Sequence, residues 1–334
     1  MVKQKIRCIL LGLGNQGCEH LAAAIDHPDV EIVAGVDSST ERHTLIAKQF
    51  PMLNLTFFSQ LEDIVSSRFI FDALILALPH HAYEPIWHKL LDLQKPMLKE
   101  KPLGRDYQEA KYFMQSAKLA KCGLRTAIQR RNHASYKFLF DYLKQHHLTV
   151  TELHAHLHLG KSGKKSTSTE HNWREDRRYA GGGALLDAGY HLIDLIQFLV
   201  GDFDVISSTM WNGQQADNGK DIEDRCWFTG RSAQTWIMLD TWVKGESDLQ
   251  GGYIKSEQVL LQTSQGILRA NREGVWCNNE QLFSSAKDWS NAMQKQLSHF
   301  AQNIDYNAWY DDLILDQLPA MRKIEEAYRL SSRY

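Results

Sequence analysis

Lys101, Asp187 and His191 have the residue types and the settings that proton transfer needs. Lys101 stands in Lys99-Glu100-Lys101-Pro102, directly after the β-type run Pro96 to Glu100, and Pro102 fixes the start of a loop there. A lysine at the end of a strand faces the sheet edge where open α/β folds bind ligands. It can donate a hydrogen bond to a hydroxyl or carbonyl oxygen, and a nearby cationic ring lowers its pKa toward a useful value. Asp187 precedes His191 by four positions, so on a helix the carboxylate lies one turn before the imidazole and can orient it for proton transfer. On that reading Asp187, His191 and Asp194 share one polar stripe, while Leu186, Ile193, Ile196 and Leu199 take apolar positions. Gly181-Gly182-Gly183 comes just before and is expected to let the backbone approach a ligand closely. The bland alternatives are a solvated lysine and a solvated helix face.

A second constellation binds rather than reacts. Gly12-Leu13-Gly14-Asn15-Gln16-Gly17 follows the first apolar run and opens the first helical stretch, the context that the dinucleotide fingerprint requires. Gly12 serves the tight turn, Gly14 the approach to a pyrophosphate and Gly17 the packing of helix on strand, with the helix N-terminus offered to the phosphates. Asp37 ends the second run, where a carboxylate accepts from the adenosine ribose hydroxyls and repels a 2′-phosphate. NAD is therefore preferred over NADP, although Ser38, Ser39 and Arg42 offer groups that would accommodate that phosphate.

The elements that must position these residues are legible as periodicities. Through residue 130, strand-like runs (Ile6 to Leu11, Glu31 to Val36, Leu55 to Phe58, Asp72 to Leu78, Pro96 to Glu100, Leu124 to Ile128) alternate with helical windows, the pattern of a parallel sheet covered on both faces. The helical windows include Ala82 to Leu93 and Tyr107 to Lys121. After residue 130 come a helix near Ser135 to His146, a strand Val150 to Leu159, a polar loop Lys161 to Ala180 and an apolar helix Ala184 to Val200. Runs such as Ala233 to Val243 and Val259 to Leu268 are spaced like an antiparallel sheet, and helices Asp288 to Ile304 and Ala308 to Leu330 close the chain. Two domains result, 1–130 for the dinucleotide and 131–334 for substrate binding and oligomerisation, as expected for 334 residues.

Composition narrows the function classes. Lys plus Arg number 38 against 40 Asp plus Glu, so no global field draws the chain onto nucleic acid or anionic lipid, and neither nucleic acid nor membrane is expected as a partner. The apolar run Cys8 to Leu11 is too short for a signal peptide or a span. Five scattered cysteines without a C-x-x-C pair suit a reducing cytoplasm. His154, His156 and His158 alternate onto one sheet face and superficially suggest a metal site, but no acidic or cysteine partner stands out nearby in the sequence, and a polar sheet face or subunit interface is the better reading. No metal is expected.

Taken together, the glycine fingerprint, Glu100-Lys101-Pro102, the pair Trp173-Arg174 and the run from Gly181-Gly182-Gly183 through Asp187 to His191 resemble the Gfo/Idh/MocA oxidoreductase family, in the same order over nearly the whole chain. The resemblance implies an α/β fold: a Rossmann doubly wound parallel sheet, then a C-terminal α/β domain with an open, mostly antiparallel sheet. It implies hydride transfer between NAD(H) or NADP(H) and a sugar, inositol or related polyol, with Lys101 as active-site lysine, His191 as acid/base and Asp187 as the aspartate before it. Cofactor contacts would come from Gly12, Gly14, Asn15, Gln16, Gly17, Asp37, Ser38, Arg42, Leu78, Pro79, His80, Glu100 and Lys101. Substrate contacts would come from Lys101, Arg131, Trp173, Arg174, Asp187 and His191. The chain departs from the family where many members read Thr-Pro-Asn with a histidine three residues on: here stand Leu78-Pro79-His80 and Tyr83. Gln129-Arg130-Arg131 resembles an arginine-bearing hinge, open to a ligand role or a structural salt bridge. Relatives of this kind also include redox-neutral NAD-dependent glycosidases and non-catalytic NAD-binding regulators. Retention of both Lys101 and His191 argues against the regulator. A homodimer or homotetramer is expected by analogy.

Overall fold

Ile, Val, Leu and Ala fill six short runs that, in the computed structural model, become β1 (Ile6–Leu11), β2 (Val30–Val36), β3 (Thr56–Phe58), β4 (Ala73–Leu76), β5 (Met97–Glu100) and β6 (Leu124–Ala127). All pair in parallel, in the order β3-β2-β1-β4-β5-β6. Every residue of β4 and β5 is buried, as both-face coverage demands. The strand order reverses between β1 and β4, and in open α/β sheets ligands bind outside the carboxyl ends of the strands at such a point. The structure describes residues 4–160, 173–212, 222–245, 255–286, 289–304 and 317–333.

The second sheet joins β7 (Val150–Gly160), β8 (Asp204–Trp211), β9 (Arg225–Arg231), β10 (Trp236–Gly245), β11 (Lys255–Thr263), β12 (Gly266–Asn271), β13 (Gly274–Cys277), β14 (Glu280–Ser284) and β15 (Ser331–Arg333). Their order is β14-β13-β12-β11-β7-β10-β9-β8-β15. Only β7 with β10 and β8 with β15 run parallel; the remaining neighbours are antiparallel. The expected α/β architecture, with a parallel Rossmann sheet and a mostly antiparallel second sheet, is the one observed.

Two expectations need correction. A single boundary at residue 130 was expected, and the chain does divide after Asn132, but helix Ser290–Gln302 belongs to the first unit. Its Met293, Leu297, Phe300 and Ala301 share one buried cluster with Cys8, Leu10, Leu21, Val30 and Ile32. An apolar face at helical spacing states that a helix must pack, and leaves open on what. Residues 104–110 group with the second unit. The helix expected over Ala82 to Leu93 is instead two 3-10 turns, His80–Ala82 and Glu84–Ile86, and a short helix Trp87–Asp92, because Pro85 has no N-H to give to the carbonyl four residues earlier and so interrupts a continuous helix. Of the closing helix, Leu318–Leu330 is described and residues 305–316 lie outside the described ones. The segment Arg177–Val200 is long and apolar enough by composition to cross a membrane, yet 78% of its most apolar window is buried inside the fold.

Of the three alternating histidines of β7, His156 and His158 are stacked, while His154 is tilted at 59° to His156 with ring centroids 6.1 Å apart. His156 and His158 lie 4.8 Å apart, His158 lies 4.4 Å from the Trp242 ring, and Asp240 Oδ2 approaches His158 Nε2 at 3.1 Å. Among the described residues no group of His, Cys, Asp or Glu is arranged to hold a metal. Burial first, then the neighbouring His158 and His154, push the His156 pKa down to about 4. Its folded value lies below its unfolded one, so between about pH 6.5 and pH 4 the unfolded chain binds a proton that the folded one refuses, and stability falls as pH falls through that window. His156→Gln can still reach Ser256 Oγ, which His156 Nε2 meets at 2.8 Å. Thermal melts at pH 7 and pH 5 should show the variant losing less stability on acidification, by about 2–4 °C after allowance for solvent screening. Equal losses would remove His156 as the cause.

Candidate active site

In the first unit the glycine turn is built by three glycines with different obligations. Gly12 has φ +94°, and a Cβ there would lie 2.4 Å from the Ala77 carbonyl oxygen. A Cβ on Gly17 would lie 2.1 Å from the Gly12 carbonyl oxygen. Gly14 is extended, and the nearest atom to its hypothetical Cβ is Arg42 Nη1 at 3.9 Å. Gly12 and Gly17 are thus fixed by the protein's own packing, while Gly14 borders open space. Helix Asn15–Ala24 opens at Gly14 with no side-chain cap and no acidic residue in its first turn, leaving first-turn N-H groups to meet an anion. Asn15 is exposed and Gln16 half-buried on that turn.

Asp37 does more than the sequence suggested. Its Oδ2 accepts from the Leu13 N-H at 2.9 Å and its Oδ1 from the Ser39 N-H at 3.0 Å, so the carboxylate braces the glycine turn from the end of β2. Arg42 Nε stands 4.0 Å from Asp37 Oδ2 with its side chain 48% exposed, and Ser38 is exposed beside it. The turn, a carboxylate at its flank and an exposed guanidinium fit a dinucleotide.

At the neighbouring strand ends, Leu78, Pro79 and His80 follow β4 half-buried, and Lys101, half-buried, follows β5 with its peptide to Pro102 cis. Glu100 is buried and its Oε1 meets His20 Nε2 at 2.7 Å, tying the β5 end to helix Asn15–Ala24. His20 escaped the sequence reading, and Lys99 and Tyr83 were named there only within a motif and as a departure from the family pattern, with no role of their own. A signal existed: His20 occupies the apolar face with Gly17, Leu21 and Ala24, and Lys99 lies in a central parallel strand, both positions where a polar residue is unexpected. Arg131 is half-buried in the 3-10 turn Arg130–Asn132, where Arg130 covers the Trp289 ring at 5.1 Å.

In the second unit Asp187 lies on a π-helical turn, Leu185–Gly189, that runs straight into helix Tyr190–Val200 bearing His191. Such i→i+5 turns occur mostly as single insertions in α-helices, often at functional sites. Asp187 is half-buried, His191 is 8% exposed and Asp194 is fully buried, accepting from Gln317 Nε2 at 2.9 Å. The expected single polar stripe of Asp187, His191 and Asp194 is therefore corrected: the wide turn breaks the regular phase, and Asp194 is a core residue. The reading of the glycine run is corrected too. Cβ atoms on Gly181, Gly182 and Gly183 would lie 2.3 Å from the Arg105 carbonyl oxygen, 2.0 Å from the Tyr328 hydroxyl and 1.9 Å from the Glu223 carbonyl oxygen. The protein itself, rather than a ligand, comes close here.

Glu223 anchors the start of that helix. Its Oε1 accepts from Gly183 N-H and Leu185 N-H, each at 3.0 Å, and from the Tyr328 hydroxyl at 2.7 Å, while burial pushes its carboxyl pKa up. Trp173 and Arg174 lie on a 3-10 turn, the guanidinium 4.4 Å from the Trp173 ring centroid. The rest of the expected pocket loop, residues 161–172, falls outside the described residues. Lys101 and the dinucleotide turn thus lie in one unit, and Asp187 with His191 in the other.

Comparison with known proteins agrees with this geometry. The model of the oxidoreductase family with NAD-binding Rossmann fold matches residues 6–127, and that of the GFO/IDH/MocA C-terminal domain matches residues 149–241. A relative from Amycolatopsis mediterranei (strain S699), an oxidoreductase subunit provisionally assigned to UDP-kanosamine synthesis, is 26% identical over 197 residues, 59% of this chain. The match spans about half of that relative, 52% of its length. Among solved structures, an oxidoreductase from Thermotoga maritima superposes with a TM-score of 0.81 at 19% identity, covering 98% of this chain and 97% of that one. The 3-ketoreductase KijD10 of Actinomadura kijaniata, solved with NADP and TDP-benzene, gives a TM-score of 0.80 at 17% identity, covering 99% of both chains.

Proposed function

Because this chain belongs to the Gfo/Idh/MocA family of NAD(P)-dependent oxidoreductases, we propose that it moves a hydride between the nicotinamide and a hydroxyl or keto carbon of a sugar, inositol or related polyol, with Lys101 and His191 in the accompanying proton transfer. The observation that carries this reading is the glycine turn at the reversal of strand order, with Lys101 at the end of β5 in the same unit.

Hydride transfer is the chemistry that a bound nicotinamide supplies. The chain's own residues supply the rest. The Gly14 turn and the first-turn N-H groups neutralise a pyrophosphate, and Asp37 accepts from ribose hydroxyls while bracing the turn. Lys101 donates a hydrogen bond to the reacting oxygen, and His191 holds or delivers the proton at that oxygen, oriented by Asp187. Arg131, Trp173 and Arg174 are assigned to substrate. Sugar nucleotides join the candidate substrates because the Amycolatopsis relative is assigned to such a pathway and KijD10 was solved with a TDP-linked ligand.

The test is a titration with NADH and NADPH by fluorescence, then a panel of free sugars, inositols and UDP- or TDP-sugars followed by nicotinamide absorbance. Turnover supports the proposal; absence of NADH and NADPH binding overturns it. NAD is the preferred cofactor on the strength of Asp37. Asp37→Ser removes the charge that repels a 2′-phosphate beside Arg42, so the NADH-to-NADPH affinity ratio should move toward NADPH by about tenfold. The ratio cancels any common loss from the unbraced Leu13 N-H, and an unchanged ratio would show that Asp37 does not select the cofactor.

A further inference from the structure

Lys99 is a charge in the middle of a buried parallel strand, 1% exposed, and the mechanism above does not use it. Desolvating an ammonium is costly, and Leu or Met would fill the same volume without that cost. The compensation is specific. Lys99 Nζ donates to the Pro102 carbonyl at 2.7 Å and to the Glu100 carbonyl at 3.2 Å, bracketing Lys101 from behind. The same ammonium lies 3.9 Å from the centroid of the Tyr83 ring and 5.8 Å from that of Phe113. Tyr83 is 1% exposed, and its hydroxyl donates to the Leu76 carbonyl at 3.0 Å and accepts from the Leu78 N-H at 3.0 Å. Burial pushes the Tyr83 phenol pKa up, so the hydroxyl stays a donor. Below it Trp87 and Phe113 pack at 4.2 Å, and Trp87 Nε1 donates to Ser116 Oγ at 2.8 Å, which fixes the aromatic floor.

Each loop is therefore held by one side chain, and the two side chains hold each other. Tyr83 fixes the chain leaving β4, Lys99 fixes the chain leaving β5, and a cation-π contact joins them where both residues are 1% exposed. We infer that Lys99 is a positioning residue which, through Tyr83, couples the loops after β4 and β5 and so sets Glu100 and Lys101 against the nicotinamide end of the cofactor. This rests on the proposed dinucleotide site.

The test separates the nicotinamide end from the adenosine end by comparing affinities for NADH and ADP-ribose, which needs no substrate. Lys99→Met should weaken NADH binding by about tenfold relative to ADP-ribose, whose affinity stays within about twofold. Tyr83→Leu should do the same, and the double variant should be no worse than the worse single one, since both cut the same link. Tyr83→Phe keeps the ring over the ammonium and loses only the hydroxyl bonds, so a smaller fall of about threefold is expected; it serves as the readout should Lys99→Met not fold. An unchanged NADH-to-ADP-ribose ratio, equal losses of both ligands, or additive effects in the double variant would overturn the inference while leaving the dinucleotide site standing. Wild-type protein that binds neither ligand would overturn the functional reading itself.

Discussion

Lys101→Met and His191→Ala are each expected to lower kcat by about 10²–10⁴-fold, the range that general acid-base groups contribute, while NADH affinity falls by no more than about tenfold for Lys101→Met, which loses its own contact at the nicotinamide end, and stays within about threefold for His191→Ala. The separation follows from where the residues lie. The adenosine and pyrophosphate contacts proposed above are those of the glycine turn and Asp37, whose bracing bonds to Leu13 and Ser39 involve neither residue. Lys101→Met keeps the length of the chain and removes only the charge and its donor. His191 is 8% exposed on the first turn of helix Tyr190–Val200, and trimming it to alanine leaves the Glu223 anchor of that helix untouched. If both residues serve one proton transfer, the double variant should be scarcely slower than the slower single variant. Single-turnover rates of hydride transfer, with NADH titrations beside them, check this. Full turnover in either variant would remove that residue from the mechanism.

Much of this site was legible because its logic is local. The fingerprint at Gly12, Gly14 and Gly17 needs only a preceding strand and a following helix, and both are present. The strands of the first sheet announce themselves by continuous apolar runs, since a parallel sheet is covered on both faces. What could not be read depends on partners far along the chain. The Glu223 anchor joins residues 183, 185, 223 and 328, and no periodicity points from one to the next. The same reason misled the reading of Gly181-Gly182-Gly183, where small residues were taken to admit a ligand but admit Arg105, Tyr328 and Glu223. The π-helical turn at Leu185–Gly189 is invisible to a 3.6-residue period, and it shifts Asp187 out of regular phase with His191, while Asp194 is taken up by its distant partner Gln317.

The sharpest separation of fold from function lies in the glycine turn. Gly12→Ala places a methyl group 2.4 Å from a backbone oxygen at a residue with φ +94°, so the turn must shift or strain, and Gly12 N-H also donates to the Val36 carbonyl at 2.9 Å within the sheet. Strain and clash together are expected to cost about 2–4 kcal/mol, lowering Tm by about 5–10 °C and NADH affinity with it. Gly14→Ala should behave differently. Its backbone is extended, with φ −76°, and the nearest atom to the new methyl is the Arg42 guanidinium at 3.9 Å, so folding has nothing to resist and Tm should stay within about 2 °C. Yet the methyl group stands where the first-turn N-H groups open toward an anion, and NADH affinity should fall by about 30–100-fold through lost approach to the pyrophosphate. Gly14→Ala protein that melts like wild type and also binds NADH as tightly would place the pyrophosphate elsewhere, and with it the cofactor.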